Sequence, residues 1–171
     1  IDLGGGMGIS YNNEKKTLNL EKYSNNIKKF LKRNKSKIIL EPGRSIIGNT
    51  GVLISKVIYN KEGYKKNFII LDAAMNDLMR PALYNAKHRI IPLIKNNNKT
   101  KKTYEFVGPI CESTDKFLTE KNFQKLNEKE FVAICDVGAY GTSLSSNYNV
   151  RPKPLEILIK GSKIQVINQR Q

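Results

Sequence analysis

The sequence predicts an α/β segment followed by a mainly antiparallel β domain, with the change of pattern near residue 45. Three observations predict it. Over residues 1–45, short apolar runs flank one amphipathic helical pattern. Beyond residue 45, strand-sized apolar runs follow one another between turn residues, and helical patterns are brief. With 171 residues and 39% hydrophobic content the chain can bury a core, and no apolar run is long enough to cross a membrane as a helix.

The first segment opens on Ile1-Asp2-Leu3, the end of a strand, and runs into Gly4-Gly5-Gly6-Met7-Gly8. Glycines let several backbone N–H groups converge on an anion. The run is not a dinucleotide fingerprint, because Ile9 stands where the last glycine belongs, and no Gly-Lys-Ser/Thr follows. By itself it reads equally as a tight turn. From Thr17 to about Lys32, Leu20, Tyr23, Ile27, Phe30 and Leu31 recur at three- and four-residue steps, which predicts a helix. Lys37-Ile38-Ile39-Leu40 is a short buried-strand pattern that stops at Glu41-Pro42-Gly43-Arg44. A carboxylate and a guanidinium at the end of an apolar strand are costly without partners, so a ligand is expected there. Strand, glycine loop, helix, strand and charged turn is the grammar of the last units of an α/β (TIM) barrel, whose final loops commonly bind phosphate. A chain that opens on such a junction at Ile1 is expected to be a piece of a longer protein.

In the second segment the expected strands are Gly51–Tyr59, Phe68–Leu71, Tyr104–Val107, Phe131–Val137, Leu155–Ile159 and Lys163–Ile167. Asn60–Gly63 is expected to turn between the first two, and Lys160-Gly161-Ser162 between the last two. Short helical patterns fall at Met79–Tyr84 and Asn122–Leu126. Lys95–Lys102, with three consecutive asparagines, reads as a mobile low-complexity loop.

A net charge of +15 raises a nucleic-acid partner. The 30 basic residues are 24 Lys and 6 Arg spread along the chain, and the densest runs, 28–37 and 95–102, lack interleaved aromatics for base stacking. No nucleic-acid and no membrane partner is expected. Cys111 and Cys135 have neither metal nor disulfide spacing, and one histidine, His88, cannot anchor a metal cluster. A reducing, cytoplasmic compartment is expected.

Four further stretches could carry chemistry. In Met79-Arg80-Pro81-Ala82-Leu83-Tyr84, Arg80 and Tyr84 share a helical face. An arginine there, in so Lys-rich a chain, suggests a fork for a carboxylate. Spacing alone nevertheless favours a surface arginine and a half-buried tyrosine. Gly108-Pro109-Ile110-Cys111-Glu112-Ser113 sets a thiol beside a carboxylate in a loop, as a proton donor, a nucleophile or simply a small buried group. Cys135, in Phe131-Val132-Ala133-Ile134-Cys135, reads more strongly as core. Tyr140, in Gly138-Ala139-Tyr140-Gly141, can reach out to an anion or pack in its turn.

Taken in order, Gly-Gly-Gly-x-Gly, Glu-Pro-Gly-Arg, Met-Arg-Pro-x-Leu-Tyr, Gly-Pro-x-Cys-Glu-Ser and Gly-Ala-Tyr resemble the diaminopimelate decarboxylase family. That family lies within the alanine-racemase-like (group IV) pyridoxal-phosphate decarboxylases. The resemblance covers essentially the whole chain. It implies the C-terminal part of such an enzyme, with residues 1–45 as the end of the cofactor-binding barrel and 46–171 as the C-terminal β domain. It implies pyridoxal 5'-phosphate as cofactor and meso-diaminopimelate as substrate, decarboxylated to lysine. Gly5 and Gly6 would hold the cofactor phosphate, with Gly43 and Arg44 as backbone donors to it, and Glu41 would face the pyridine nitrogen. Arg44, Arg80 and Tyr84 would hold the substrate's distal carboxylate, and Tyr140 would touch cofactor and substrate. Cys111 would donate the proton and Glu112 would receive the distal ammonium, both reaching the active site of the other subunit of a homodimer.

Ornithine-type relatives share Glu-Pro-Gly-Arg. They typically carry Asp after the cysteine and lack the Arg-Pro-x-x-Tyr clamp, so Arg80, Tyr84 and Glu112 together imply a substrate with a second amino-acid head. The family's cofactor-linking lysine and ring-stacking histidine have no match here, and His88 is not that histidine, so this chain alone is expected to be inactive. An ornithine- or arginine-type decarboxylase and a non-catalytic binding remnant are the competing readings.

Overall fold

A computed structural model describes residues 1–11, 18–94 and 100–168. At its start two extended segments run side by side in parallel through an isolated bridge between Asp2 and Ile39; the buried strand expected over Lys37–Leu40 does not form among the described residues, and Ile39 is 57% and Leu40 37% exposed. Leu3 N–H donates to Ile39 O (3.0 Å), Ile39 N–H to Ile1 O (3.0 Å) and Glu41 N–H to Gly4 O (2.9 Å). Parallel neighbours need a crossover, and helix α1 (Leu20–Arg33) supplies it. Asn19 caps α1, its Oδ1 accepting from Lys22 N–H at 2.8 Å. Glu21 in the first turn and Lys32 and Arg33 in the last suit the helix dipole. The expected apolar stripe is present but only partly covered, with Leu20 66% and Phe30 41% exposed. The start expected at Thr17 lies outside the described residues.

A short helix α2 (Arg44–Ile47) and a 3₁₀ turn (Gly48–Thr50) lead into β1 (Val52–Glu62). Then follow β2 (Asn67–Leu71), α3 (Arg80–Tyr84), β3 (Ile90–Pro92), β4 (Lys101–Val107), β5 (Lys116–Gln124), β6 (Phe131–Cys135) and α4 (Gly141–Leu144). After a second 3₁₀ turn (Tyr148–Val150), β7 (Glu156–Lys160) and β8 (Lys163–Asn168) form a separate hairpin. The first six strands make one sheet in the order β3-β6-β1-β2-β4-β5. Its neighbours are antiparallel except β2 and β4, which run parallel. The two edge strands, β3 and β5, border one cavity of about 990 Å³, so the sheet curls towards closure. Among the described residues no helix is long and apolar enough to cross a membrane.

The core sits on the inner face of this sheet. Alternation places Ile69 and Leu71 of β2, Tyr104 and Phe106 of β4, and Phe117 and Phe123 of β5 inward, where they meet Val57, Leu78 and Ile134. Phe106 and Phe123 meet edge to face, with centroids 5.0 Å apart.

Several expectations change. β3 and β5 had no counterpart among the expected strands. The helical pattern at Asn122–Leu126 is instead the end of β5, where Phe123 pairs with Lys102 and Gln124 with Lys101. A register shift there and a left-handed Asn122 (φ 55°) break the period of two that would have marked a strand. β1 continues through Asn60–Glu62, so the turn falls at Gly63–Lys66, closed by Gly63 N–H on Lys66 O (3.0 Å). Lys101 and Lys102 belong to β4 rather than to a loop, and residues 95–99 lie outside the described residues. β6 stops at Cys135, because Asp136 turns left-handed (φ 61°).

Candidate functional site

The site begins where two backbones touch. A Cβ on Gly138 would lie 2.0 Å from Ile47 O and 2.9 Å from Gly51 N, so no larger residue fits. Val137 N–H donates to Gly51 O and Gly138 N–H to Gly48 O, both at 3.0 Å. This contact fastens the turn that carries Arg44 to the exit of β6, which carries Tyr140. Tyr140 is left-handed (φ 64°), and its ring swings between two arginines. The guanidinium carbon of Arg44 lies 5.9 Å from the ring centroid and that of Arg80 5.7 Å. Its hydroxyl overhangs Gly43, where a Cβ would stand 3.2 Å away.

Arg80 opens α3, with Pro81 beside it in the first turn. It is only 5% exposed, so the surface-arginine reading fails. Its guanidinium carbon sits 5.8 Å from the Tyr84 ring and 6.0 Å from the Tyr11 ring, and Nη2 donates to Tyr11 Oη at 3.3 Å. Among the described residues neither Arg44 nor Arg80 has a carboxylate within ion-pair distance. The Nε groups of both are buried without a partner. Arg44, Arg80, Tyr84 and Tyr140 all line one cavity of about 720 Å³, with Ser10, Tyr11 and Lys87 completing its polar wall. Two uncompensated guanidiniums on one cavity make an anion site, and their forks suit carboxylate or phosphate.

His88 lies behind this wall, 1% exposed, its ring edge-on to Tyr11 at 5.2 Å. Its Nδ1 donates to Cys135 O at 2.9 Å, which leaves the buried Nε2 as an unpartnered acceptor. Burial pushes its pKa below the ordinary 6.5, and the charges of Arg80 and Arg44 push the same way against the Cys135 carbonyl and Asp136. A neutral imidazole beside the arginines leaves their charge undiluted for a ligand.

Cys111 and Glu112 do not line this cavity. They sit exposed at the tip of the loop between β4 and β5, which rules out the buried-group reading for Cys111; Cys135 is buried as expected. Asp115 staples the loop. Its carboxylate accepts from Ile110 N–H and Met75 N–H, both at 2.7 Å, and it fills the space in which a Gly108 side chain would stand. Burial outweighs those amide bonds and lifts the Asp115 pKa above its usual range. At the loop tip, Tyr148 Oη donates to Glu112 Oε1 at 2.7 Å.

Gly5, Gly6, Glu41 and Gly43 follow the two bridged extended segments and stand outside the cavity wall. Glu41 is exposed, and a Cβ on Gly5 would meet Glu41 O at 2.4 Å, so the glycine loop presses directly on the charged turn. The amides of Gly5, Gly6, Gly43 and Arg44 donate to no backbone carbonyl of the described residues. Sequence reasoning missed Tyr11, His88, Asp115 and Tyr148. Their partners lie up to 69 residues away, so no local pattern marks them.

Residues 11–138 match the family described as pyridoxal-dependent decarboxylase, C-terminal sheet domain. The diaminopimelate decarboxylase of Aquifex aeolicus is 42% identical over 171 residues, which is 100% of this chain and 40% of that protein. The crystal structure of the Helicobacter pylori diaminopimelate decarboxylase complexed with L-lysine is 44% identical, with a TM-score of 0.91 over 99% of this chain and 41% of that one. The M. jannaschii diaminopimelate decarboxylase in complex with L-lysine is 36% identical, with a TM-score of 0.90 over 99% of this chain and 40% of that one. The chain therefore spans about two fifths of the relatives it matches. It belongs to the pyridoxal-dependent decarboxylase family, as a C-terminal sheet domain of the diaminopimelate decarboxylase kind.

Proposed function

We propose that this chain is the C-terminal part of an enzyme that decarboxylates meso-2,6-diaminopimelate to L-lysine and carbon dioxide with pyridoxal 5'-phosphate. The observation that carries the reading is the pair of uncompensated arginines, Arg44 and Arg80, on one cavity with Tyr84 and Tyr140. The boundary near residue 45 belongs to the same reading. The parallel βαβ unit before it would close a cofactor-binding barrel, and the sheet after it would supply the substrate-facing side chains.

The residues present fit the cofactor. Among the described residues the amides of Gly5, Gly6, Gly43 and Arg44 donate to no backbone carbonyl, Gly5 presses on Glu41 beside them, and the buried Nε of Arg44 has no partner. When bound, the cofactor supplies an electron sink for the pair left behind as carbon dioxide departs. In this reading Gly5, Gly6, Gly43 and Arg44 hold its phosphate, and Glu41 keeps a proton on the pyridine nitrogen. Arg80, Arg44 and Tyr84 grip the substrate's distal carboxylate, and Tyr140, whose ring lies between the two arginines, touches cofactor and substrate. Cys111 Sγ returns a proton to the α carbon and Glu112 accepts the distal ammonium, both from a loop that reaches across a dimer to the partner's cavity. The L-lysine carried by the relatives supports the product assignment. The unpaired thiol of exposed Cys111 suits a reducing cytoplasm.

The test is carbon dioxide release by the full-length protein loaded with cofactor. Turnover of meso-diaminopimelate with ornithine and arginine inert is the expected result. Activity on ornithine or arginine alone would refute the substrate assignment.

A further inference from the structure

The loop that bears Glu112 and the turn that bears Tyr148 are held by one short segment. Met75 N–H is bonded by Asp115, which staples the first loop. Asn76, fully buried, holds the second from both sides. Its Nδ2 donates to Ser146 O at 3.0 Å, its carbonyl accepts from Ser146 N–H at 2.9 Å, and its Oδ1 accepts from Arg151 Nε at 3.2 Å. Arg151 Nη2 also donates to Asp72 O and lies 3.8 Å from Asp77 Oδ2. Between these anchors the backbone is strained, with Asn149 at φ 55° and Val150 at φ 57°. A β-branched residue in the left-handed region, here 93% exposed, persists only where its surroundings over-determine it. The strained turn delivers Tyr148 Oη to Glu112 Oε1 at 2.7 Å. Glu112 Oε2 takes no hydrogen bond from the described residues. The carboxylate in turn holds the proton on the phenol, raising the Tyr148 pKa.

We propose that Tyr148 is a positioning residue for substrate specificity, fixing the Glu112 carboxylate so that its open oxygen meets the distal ammonium of the substrate. The proposal rests on the reading of Glu112 given above. A surface glutamate left alone samples many rotamers, and a phenol held at a fixed point removes that freedom before substrate arrives.

The test uses the full-length protein with Tyr148→Phe, Glu112→Gln and the double variant, and two substrates: meso-diaminopimelate and 2-aminopimelate, which keeps the far carboxylate and lacks the far amine. Tyr148→Phe should raise KM for diaminopimelate about 10- to 150-fold with kcat nearly unchanged, the effect of one hydrogen bond to a charged group. It should leave KM for 2-aminopimelate unchanged, and the double variant should be no worse than Glu112→Gln alone. If Glu112→Gln raises KM while Tyr148→Phe does not, this proposal falls and the proposed function stands. Additive losses, or an equal loss on both substrates, would show a merely structural tyrosine and overturn it. If Glu112→Gln itself leaves diaminopimelate binding intact, the role of Glu112 falls and takes this inference with it.

Discussion

Gly108→Ala tests the staple that presents Cys111 and Glu112. The new Cβ would stand 2.3 Å and 2.4 Å from the two carboxylate oxygens of Asp115 and 2.6 Å from its Cγ. Non-bonded heavy atoms rest near about 3.5 Å, so the carboxylate must retreat by roughly 1 Å. Its bonds to Met75 and Ile110 are 2.7 Å each and cannot both survive that retreat. A hydrogen bond to a charged group contributes about 1.5–3 kcal/mol, so losing one fully and weakening the other costs about 2–4 kcal/mol locally. Hydrogen exchange read by mass spectrometry reports that loss directly in the full-length protein. Peptides covering 74–78 and 108–116 should lose protection by about 30- to 900-fold, while peptides from β1 and β6 should not. Unchanged protection at both segments would refute the staple.

Three other outcomes are expected. Arg80→Ala should lower kcat/KM for meso-diaminopimelate by about 100-fold or more, and Arg80→Lys should recover little, because a lysine cannot fork onto a carboxylate; a loss under threefold in steady-state kinetics would contradict the clamp. His88 has a folded pKa below 6.5, so the stability it contributes is present above pH 6.5 and is lost as pH falls through the folded value. Unfolding free energies from urea titrations across that range should fall by up to about 1.4 kcal/mol per pH unit, and His88→Gln should flatten the slope; parallel slopes would exclude His88. Mixing full-length Cys111→Ala subunits with subunits lacking the cofactor-linking lysine should restore part of the activity through hybrid sites; no recovery despite proven subunit exchange would sink the shared-site arrangement.

The sequence made much of this legible where function and local pattern coincide. Helix α1 and strands β1, β2, β4 and β6 show their period within a few residues. Arg44, Arg80, Tyr84 and Tyr140 sit at element ends, where chemistry-bearing types stand out. β5 escaped because two register shifts against β4, one near each end, interrupt its period, so the residues between inward Phe117 and Phe123 do not alternate cleanly. β3 escaped because three residues carry no period, and pairing with β6 alone makes them a strand. Asp115, His88 and Tyr148 act through partners dozens of residues away, so their roles follow from the topology of the sheet rather than from any window of sequence.

The one parallel pairing in the sheet, β2 beside β4, has a kinetic consequence. A hairpin could not join these strands, so the chain makes a long excursion, and that excursion carries Asn76, Arg80, Tyr84 and His88. Arg80 and Tyr84, two walls of the arginine-lined cavity, thus sit on an excursion whose ends meet only after distant segments have found each other. Such closures are the slow steps of folding. During refolding, anion binding at the cavity should emerge after most β structure has formed.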